Sequence, residues 1–186
     1  MTKACSFDVF KLSKMPTMVG ILLVLVSLIV ALPAKAASVY MTQDQFLTKA
    51  FGQVPAAKTY WIQAADKARG LKLLGHPVAG LRTRYWQVGN KTAWVINEIG
   101  KEQPITIGVV VEGGKVDFVD ILTYRESRGY EVRHDFFTRQ FKGAALKGDK
   151  LTKRIDGISG ATLSVWAVTN VSEWALYLHA QVVQAK

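Results

Sequence analysis

Two periods of apolar and polar positions share the chain, and the changes of period mark its elements. From Thr162 to Val183, Leu163, Ala167, Val171, Trp174 and Leu178 recur at four, four, three and four residues. This spacing predicts a long helix with one core-facing stripe. Thr42-Gln43-Asp44-Gln45 has the form of a capping box and predicts a short helix to about Phe51. Tyr60, Ala64, Lys67, Leu71 and Leu74 keep helical spacing and predict a helix over 59–74, which Gly75-His76-Pro77 stops. Val132 to Phe141 also reads as helical, with Phe136, Phe137 and Phe141 on one side and Lys142-Gly143 as its end.

Between these segments the period shortens to two. Arg84–Val88 and Thr92–Ile99 flank Gly89-Asn90, and Thr106–Glu112 and Lys115–Tyr124 flank Gly113-Gly114. Both pairs read as hairpins; the second turn is the stronger signal because two glycines accept positive φ. Within Lys115–Leu122 the apolar positions Val116, Phe118 and Ile121 break strict alternation, so a bulge near Val119-Asp120 is expected. Strands grouped between helices, with no strand–helix alternation, predict an α+β single domain with an antiparallel or mixed sheet packed with helices.

The first 36 residues follow neither period. Lys3, Lys11 and Lys14 open them, Met18–Leu32 is a 15-residue apolar or small run, and Pro33-Ala34-Lys35-Ala36 follows. The run falls short of the ~20 residues of a spanning helix. A basic start, a short apolar core and an Ala-x-Ala end predict a secretory signal peptide over 1–36, with the cut after Ala36 and a domain over 37–186. An uncleaved membrane anchor is the alternative. In both cases residues 37–186 are expected outside the cytoplasmic membrane, in the periplasm or its equivalent.

Composition narrows the chemistry. The 186-residue chain is 49% apolar and 20% charged, a globular balance, and its formal net charge is +10. Loss of Lys3, Lys11, Lys14, Lys35 and Asp8 with the leader would leave 20 basic and 13 acidic side chains, or +7. An exported chain without a dense basic stripe is not expected to bind nucleic acid; Lys147, Lys150, Lys153 and Arg154 read as a solvated loop. Cys5, the one cysteine, precedes the apolar run, so the exported part has no thiol for a disulfide, a cysteine metal site or a haem attachment. His76, His134 and His179 show no ligand spacing, and His179 on the last helix is expected at the surface or at a polar core edge. Asp117 and Asp120 do not form a convergent carboxylate pair.

The candidate chemistry lies where the last helix begins, in Asp156-Gly157-Ile158-Ser159-Gly160-Ala161-Thr162-Leu163-Ser164. Glycines let backbone approach a ligand closely, and a helix start presents unpaired N–H groups and partial positive charge. A phosphate suits such a place. By spacing alone, an ordinary cap, with Ser159 or Thr162 serving its own helix, accounts for the same residues.

Asp156-x-x-Ser159-Gly160-Ala161-Thr162 resembles the flavinylation motif of the FMN-binding domain family. That family includes extracytoplasmic domains of the sodium-translocating NADH:quinone reductase and of the Rnf complex. Ser164 stands where the family has Thr or Ser. Glu126-Ser127-Arg128-Gly129, after a strand, is similar to the family's Glu-Thr-Pro-Gly, with Arg128 replacing the Pro. Phe137, Gln140, Phe141, Lys142 and Gly143 fit a further family pattern. The likeness covers the second half of the chain, from the Gly113-Gly114 hairpin onward.

The resemblance implies FMN held as a phosphoester on Thr162, installed by a separate flavin transferase from FAD with Mg²⁺. It implies that Asp156 is read by that transferase, and that Glu126, Ser127, Arg128, Gly129, Ser159, Gly160, Ala161, Leu163 and Ser164 surround the cofactor. Arg128 stands open between a charge beside the flavin and a solvated arginine. Trp166 and Trp174 read as core, Trp166 being the one candidate for a wall of the ring. The side faced by Tyr124 is open. The expected function is electron transfer between a membrane-linked donor and a protein acceptor, such as a cytochrome or a membrane oxidoreductase with an acidic docking face. A non-redox docking module and a stand-alone flavin reductase are the competing expectations.

Overall fold

The computed structural model describes residues 37–184. Cys5, the Met18–Leu32 run and the whole of the expected leader, 1–36, lie outside the described residues. Among the described residues no helix is long and apolar enough to cross a membrane.

Six strands form one antiparallel sheet: β1 (Ser38–Val39), β2 (Lys58–Trp61), β3 (Arg82–Val88), β4 (Lys91–Ile99), β5 (Pro104–Glu112) and β6 (Lys115–Tyr124), in the order β1-β6-β5-β4-β3-β2. The α+β expectation and both hairpins hold, with Val88 opposite Lys91 and Glu112 opposite Lys115. The irregularity in β6 is placed differently from the expected bulge. Val110 and Val111 pair with Phe118 and Val116, leaving Asp117 extra; Thr106 and Ile107 pair with Thr123 and Ile121, leaving Leu122 extra. Two bulges flank Val119-Asp120 instead of one at it, and they turn Val116, Val119, Ile121 and Tyr124 to one face and Phe118 and Leu122 to the other.

The helices cover both faces. Helix α1 (Gln43–Phe51) starts with the expected capping box, the Thr42 hydroxyl accepting from Gln45 N at 3.2 Å and Gln45 Oε1 from Thr42 N at 2.8 Å. It buries Phe46, Leu47 and Ala50 against Trp86, Ala93, Val110 and Leu122. On the other face, α2 (Ala64–Leu74) and the long α4 (Thr162–Gln184) pack over Trp94, Ile105, Ile107, Val109 and Val111.

The predicted 59–74 helix divides in two. Thr59, Tyr60 and Trp61 suit a strand and pair as β2 with β3, while the carboxylate of Asp66 accepts from Gln63 N at 2.6 Å and starts the helix there. Buried Asp66 also accepts from the hydroxyls of Tyr60 at 2.9 Å and Tyr177 at 2.7 Å, joining β2, α2 and α4. Burial, with Asp66 as partner, pushes the Tyr177 phenol up to about 12.

The 132–141 segment is likewise broken: a 3₁₀ turn (Tyr130–Arg133), the short α3 (Asp135–Thr138) and a second 3₁₀ turn (Arg139–Phe141). Phe137 and Phe141 enter the core, but Phe136 is 49% exposed, because the breaks rotate it off the shared face. In α4, Ala167, Val171, Trp174 and Leu178 are buried as expected, whereas Leu163 is 41% exposed at the helix start. His179 is at the buried edge, not the surface: Nδ1 lies 2.8 Å from Thr92 Oγ1, and Nε2 accepts from Gly114 N at 3.2 Å.

Candidate functional site

A segment between the sheet and α4 presents the motif. After the short hairpin of β7 (Leu146–Lys147) and β8 (Lys150–Leu151), the chain runs to α4 without regular structure, yet side chains hold it at several points. Glu173, buried within α4, accepts from Leu151 N at 3.1 Å and from Lys150 Nζ at 3.3 Å. Burial raises the pKa of Glu173, and these two donors partly offset the rise. Lys153 Nζ donates to Lys142 O at 2.6 Å, and Asp156 N donates to Gln140 Oε1 at 2.8 Å. Gln140, which stood out in the sequence only by its likeness to a family pattern, thus anchors the backbone at the head of the motif.

The motif ends in a tight turn. Ala161 N donates to Ile158 O at 3.0 Å, and Gly160 takes φ +81. Ala161 O then accepts the first helical bond, from Val165 N at 2.9 Å, so Ala161 is the cap of α4. Its methyl group has no acceptor, and among the described residues neither Ser159 nor Thr162 caps the helix with its side chain. The N–H groups of Thr162, Leu163 and Ser164 therefore face outward without an intrahelical partner. Ser159, Gly160 and Thr162 are exposed, Ala161 and Ser164 buried.

The loop after β6 closes the opposite side. Tyr124 turns inward: its buried hydroxyl donates to Arg128 O at 2.5 Å and lies 2.8 Å from Ser164 Oγ, which donates back to it. Burial holds the Tyr124 phenol above its ordinary pKa, the Ser164 bond offsetting part of this. Gly129 takes φ +90, and a Cβ there would stand 2.7 Å from the Tyr124 hydroxyl and 2.9 Å from Ser164 Oγ. The loop and the helix start meet through Gly129 at a distance only a glycine allows. Ser164 is consequently a strut, committed to Tyr124.

Glu126 reaches sideways. Its Oε1 accepts from the amides of Lys101, Glu102 and Gln103 at 2.5, 2.6 and 2.8 Å. Burial alone would raise its pKa; the three donors overcome that and hold the carboxyl below its usual range. This brings Lys101, a residue that no sequence motif singles out, to the rim of a cavity of about 470 Å³. Glu126, Ser127 and Arg128 line it on one side and Gly160 to Ser164 on the other. Ser127 and Arg128 are exposed. The structure thus gathers Glu126–Arg128 with Gly160–Ser164 around the cavity and packs Gly129 against Tyr124 and Ser164, while Asp156 and Ser159 stand outside the lining. Trp166, read as core, is 58% exposed one turn beyond Thr162, whereas Trp174 is buried. Trp166 is turned outward because Val165 and Ala167 on either side take the buried positions.

A cavity with two cations, an uncapped helix start and the exposed hydroxyls of Thr162 and Ser127 suits a ligand with a phosphate at one end. Neither a curated protein nor a solved structure matches the chain. Residues 100–177 match the family model of the FMN-binding domain, a span that holds the Glu126 loop, the motif and most of α4. Over residues 100–177 the chain is thus similar to the FMN-binding domain family, consistent with a flavin-binding protein.

Proposed function

We propose that this chain is an extracytoplasmic flavoprotein that carries FMN as a phosphoester on Thr162 and passes electrons between a membrane-linked donor and a protein acceptor. The observation that supports it most is the state of one hydroxyl. Thr162 is the exposed first residue of a 23-residue helix whose cap is an alanine, so no side chain competes with a phosphate for the amides beside it. Each favourable charge contact with such a helix start contributes ~0.3–1 kcal/mol. Lys101 and Arg128 add positive charge at the cavity wall. Bound FMN supplies reversible one- and two-electron chemistry.

The hydroxyl of a threonine at its resting pKa is a weak nucleophile, and residues 156–164 contain no His or Lys to serve as its base. Attachment therefore belongs to a separate flavin transferase with FAD as donor. The Thr162 Oγ1–P bond forms, the P–O bond within the diphosphate breaks, AMP leaves, and the hydroxyl proton passes to a base of the transferase. The exposed position of Thr162, and of Asp156 six residues before it, leaves both within reach of another protein. The basic, apolar and small-residue order of the first 36 residues supports export.

The test is co-expression of the full chain with a flavin transferase, followed by denaturing electrophoresis under ultraviolet light. A fluorescent band is expected in the native chain and in Ser164→Ala, and none in Thr162→Ala. A native chain without flavin favours the non-redox docking module, and a band that persists in Thr162→Ala refutes the attachment site. Rapid turnover of a small oxidant by the loaded chain, with no protein acceptor, replaces the carrier with a stand-alone flavin reductase.

A further inference from the structure

The broken segment after β6 leaves aromatic rings outside the core. Tyr130 is 47% and Phe136 49% exposed. Close contacts join them into one surface. The Arg133 guanidinium lies 4.5 Å from the centre of the Tyr40 ring and 5.7 Å from that of Tyr130. The His134 ring stands edge-on to Tyr130 at 6.5 Å and stacks on Phe136 at 6.2 Å. Tyr40 is half-buried, and the other four are exposed. A contiguous exposed patch of this kind marks a contact with something beyond the domain. Its charge is uncompensated as well. Residues 128–142 carry four cations, Arg128, Arg133, Arg139 and Lys142, against the two acids Glu131 and Asp135. None of the four joins an ion pair among the described residues. Asp120, in the recess beside Tyr40 and Arg133, is already paired with Lys49 at 2.7 Å.

We propose that this aromatic and basic face rests on an anionic phospholipid membrane, with Tyr130 and Phe136 at the boundary of headgroups and acyl chains and Arg133 donating to lipid phosphate. The inference rests on export of residues 37–186 and not on flavin at Thr162. Its first support is chemistry. Tyrosine and phenylalanine rings are favoured where headgroups meet hydrocarbon, and a guanidinium binds phosphate through paired N–H donors. Two tyrosine rings already hold the Arg133 guanidinium, so little freedom is lost when it meets a phosphate.

The second support is covalent reach. Tyr40 comes eight residues after Leu32, the last residue of the apolar run. A fully extended chain covers ~3.3–3.6 Å per residue, so Tyr40 is tied within about 30 Å of the stretch best suited to lipid. The third support is position. Tyr130 directly follows Gly129, which is packed against Tyr124 and Ser164. A face on the bilayer would therefore hold the cavity at Thr162 close to a membrane-linked electron donor.

The test uses the full chain as exported, without flavin loading, mixed with vesicles of phosphatidylglycerol or of phosphatidylcholine. Hydrogen exchange and the bound fraction are read for the native chain, Phe136→Ser, Arg133→Glu and Arg82→Glu, with circular dichroism as the check on fold. Arg82→Glu makes an equal change of charge on β3. Phosphatidylglycerol is expected to slow exchange over 128–142 in the native chain, and phosphatidylcholine to do so less. Phe136→Ser should lower the partition coefficient roughly tenfold, through lost apolar burial. Arg133→Glu should lower it roughly five- to thirtyfold, and Arg82→Glu by no more than about twofold at physiological salt. No protection of 128–142 on either vesicle overturns the proposal, and equal protection on both overturns the anionic headgroup. Protection that grows with protein concentration in the absence of lipid makes the face an interface between copies and overturns it too. An equal loss in Arg133→Glu and Arg82→Glu reduces the attraction to net charge, which is a further refutation. Flavin loading at Thr162 is read separately, so either result leaves the other standing.

Discussion

Replacing Gly129 by alanine tests how the loop after β6 is locked to the start of α4. Two costs add at this position. The backbone is left-handed, at φ +90 and ψ 12, and an L-residue there costs about 1–2 kcal/mol. The new Cβ would also meet the Tyr124 hydroxyl at 2.7 Å, Ser164 Oγ at 2.9 Å and the Ala161 Cβ at 3.3 Å. Those atoms belong to buried, mutually bonded groups that cannot swing aside, so overpacking adds about 1–3 kcal/mol. The expected loss is about 2–5 kcal/mol, a large part of the ~5–15 kcal/mol that holds an ordinary domain folded. Gly160→Ala is the control: φ is +81, but nothing lies within 4 Å of the added Cβ, so only the backbone cost of about 1–2 kcal/mol applies. Urea unfolding of the flavin-free protein, followed by tryptophan emission, reads both. With slopes of roughly 2 kcal/mol per molar, Gly129→Ala should lower the midpoint by about 1–2.5 M and Gly160→Ala by about 0.5–1 M. Equal midpoints for the two variants would refute the argument that contact with Tyr124 and Ser164, rather than backbone conformation, makes this glycine necessary.

Three further outcomes follow from the same geometry. Ser164→Ala should cost about 1 kcal/mol in urea unfolding, the worth of one hydrogen bond to Tyr124, while flavin loading at Thr162 stays intact. Glu126→Ala should cost about 1.5–3 kcal/mol, because three amides lose a charged acceptor, and it should speed hydrogen exchange at Lys101, Glu102 and Gln103. His179 is held neutral by burial, its pKa below the ordinary value. The unfolded chain therefore binds the proton first, and stability should fall as pH drops below about 6.5, by at most about 1.4 kcal/mol per pH unit from this group. The fall should be shallower in His179→Gln, and an equal slope in both proteins would count against the assignment.

Much of the sheet was legible because hairpin signals are local. Gly89-Asn90 and Gly113-Gly114 favour a tight turn whatever surrounds them, and the strands on either side follow from alternation. The capping box of α1 and the long stripe of α4 are local in the same way. The misplaced elements depend on distant partners. Thr59–Trp61 keeps a helical spacing, yet it becomes β2 because β3 offers an edge and Asp66 starts the next helix. The segment 130–141 has the apolar content of one helix but is broken to deliver Phe137 and Phe141 to the core. Two bulges in β6 replace one because both neighbouring register shifts have to fit β5.

The order of residues by itself determined where the last helix starts: a glycine, an alanine and a threonine at the threshold of an apolar helix leave amides and a hydroxyl at its head. Tertiary structure decided which hydroxyl is free. Ser164 and Thr162 are equivalent in a sequence, two residues apart in the same motif, but a tyrosine forty residues upstream binds one and leaves the other in solvent. Tertiary structure also brought Lys101 to the cavity, through a carboxylate whose three acceptor bonds run to a turn far away along the chain, and left Trp166 facing outward. Such pairings need atoms from separate strands to meet in space, and no periodicity within one segment encodes that meeting.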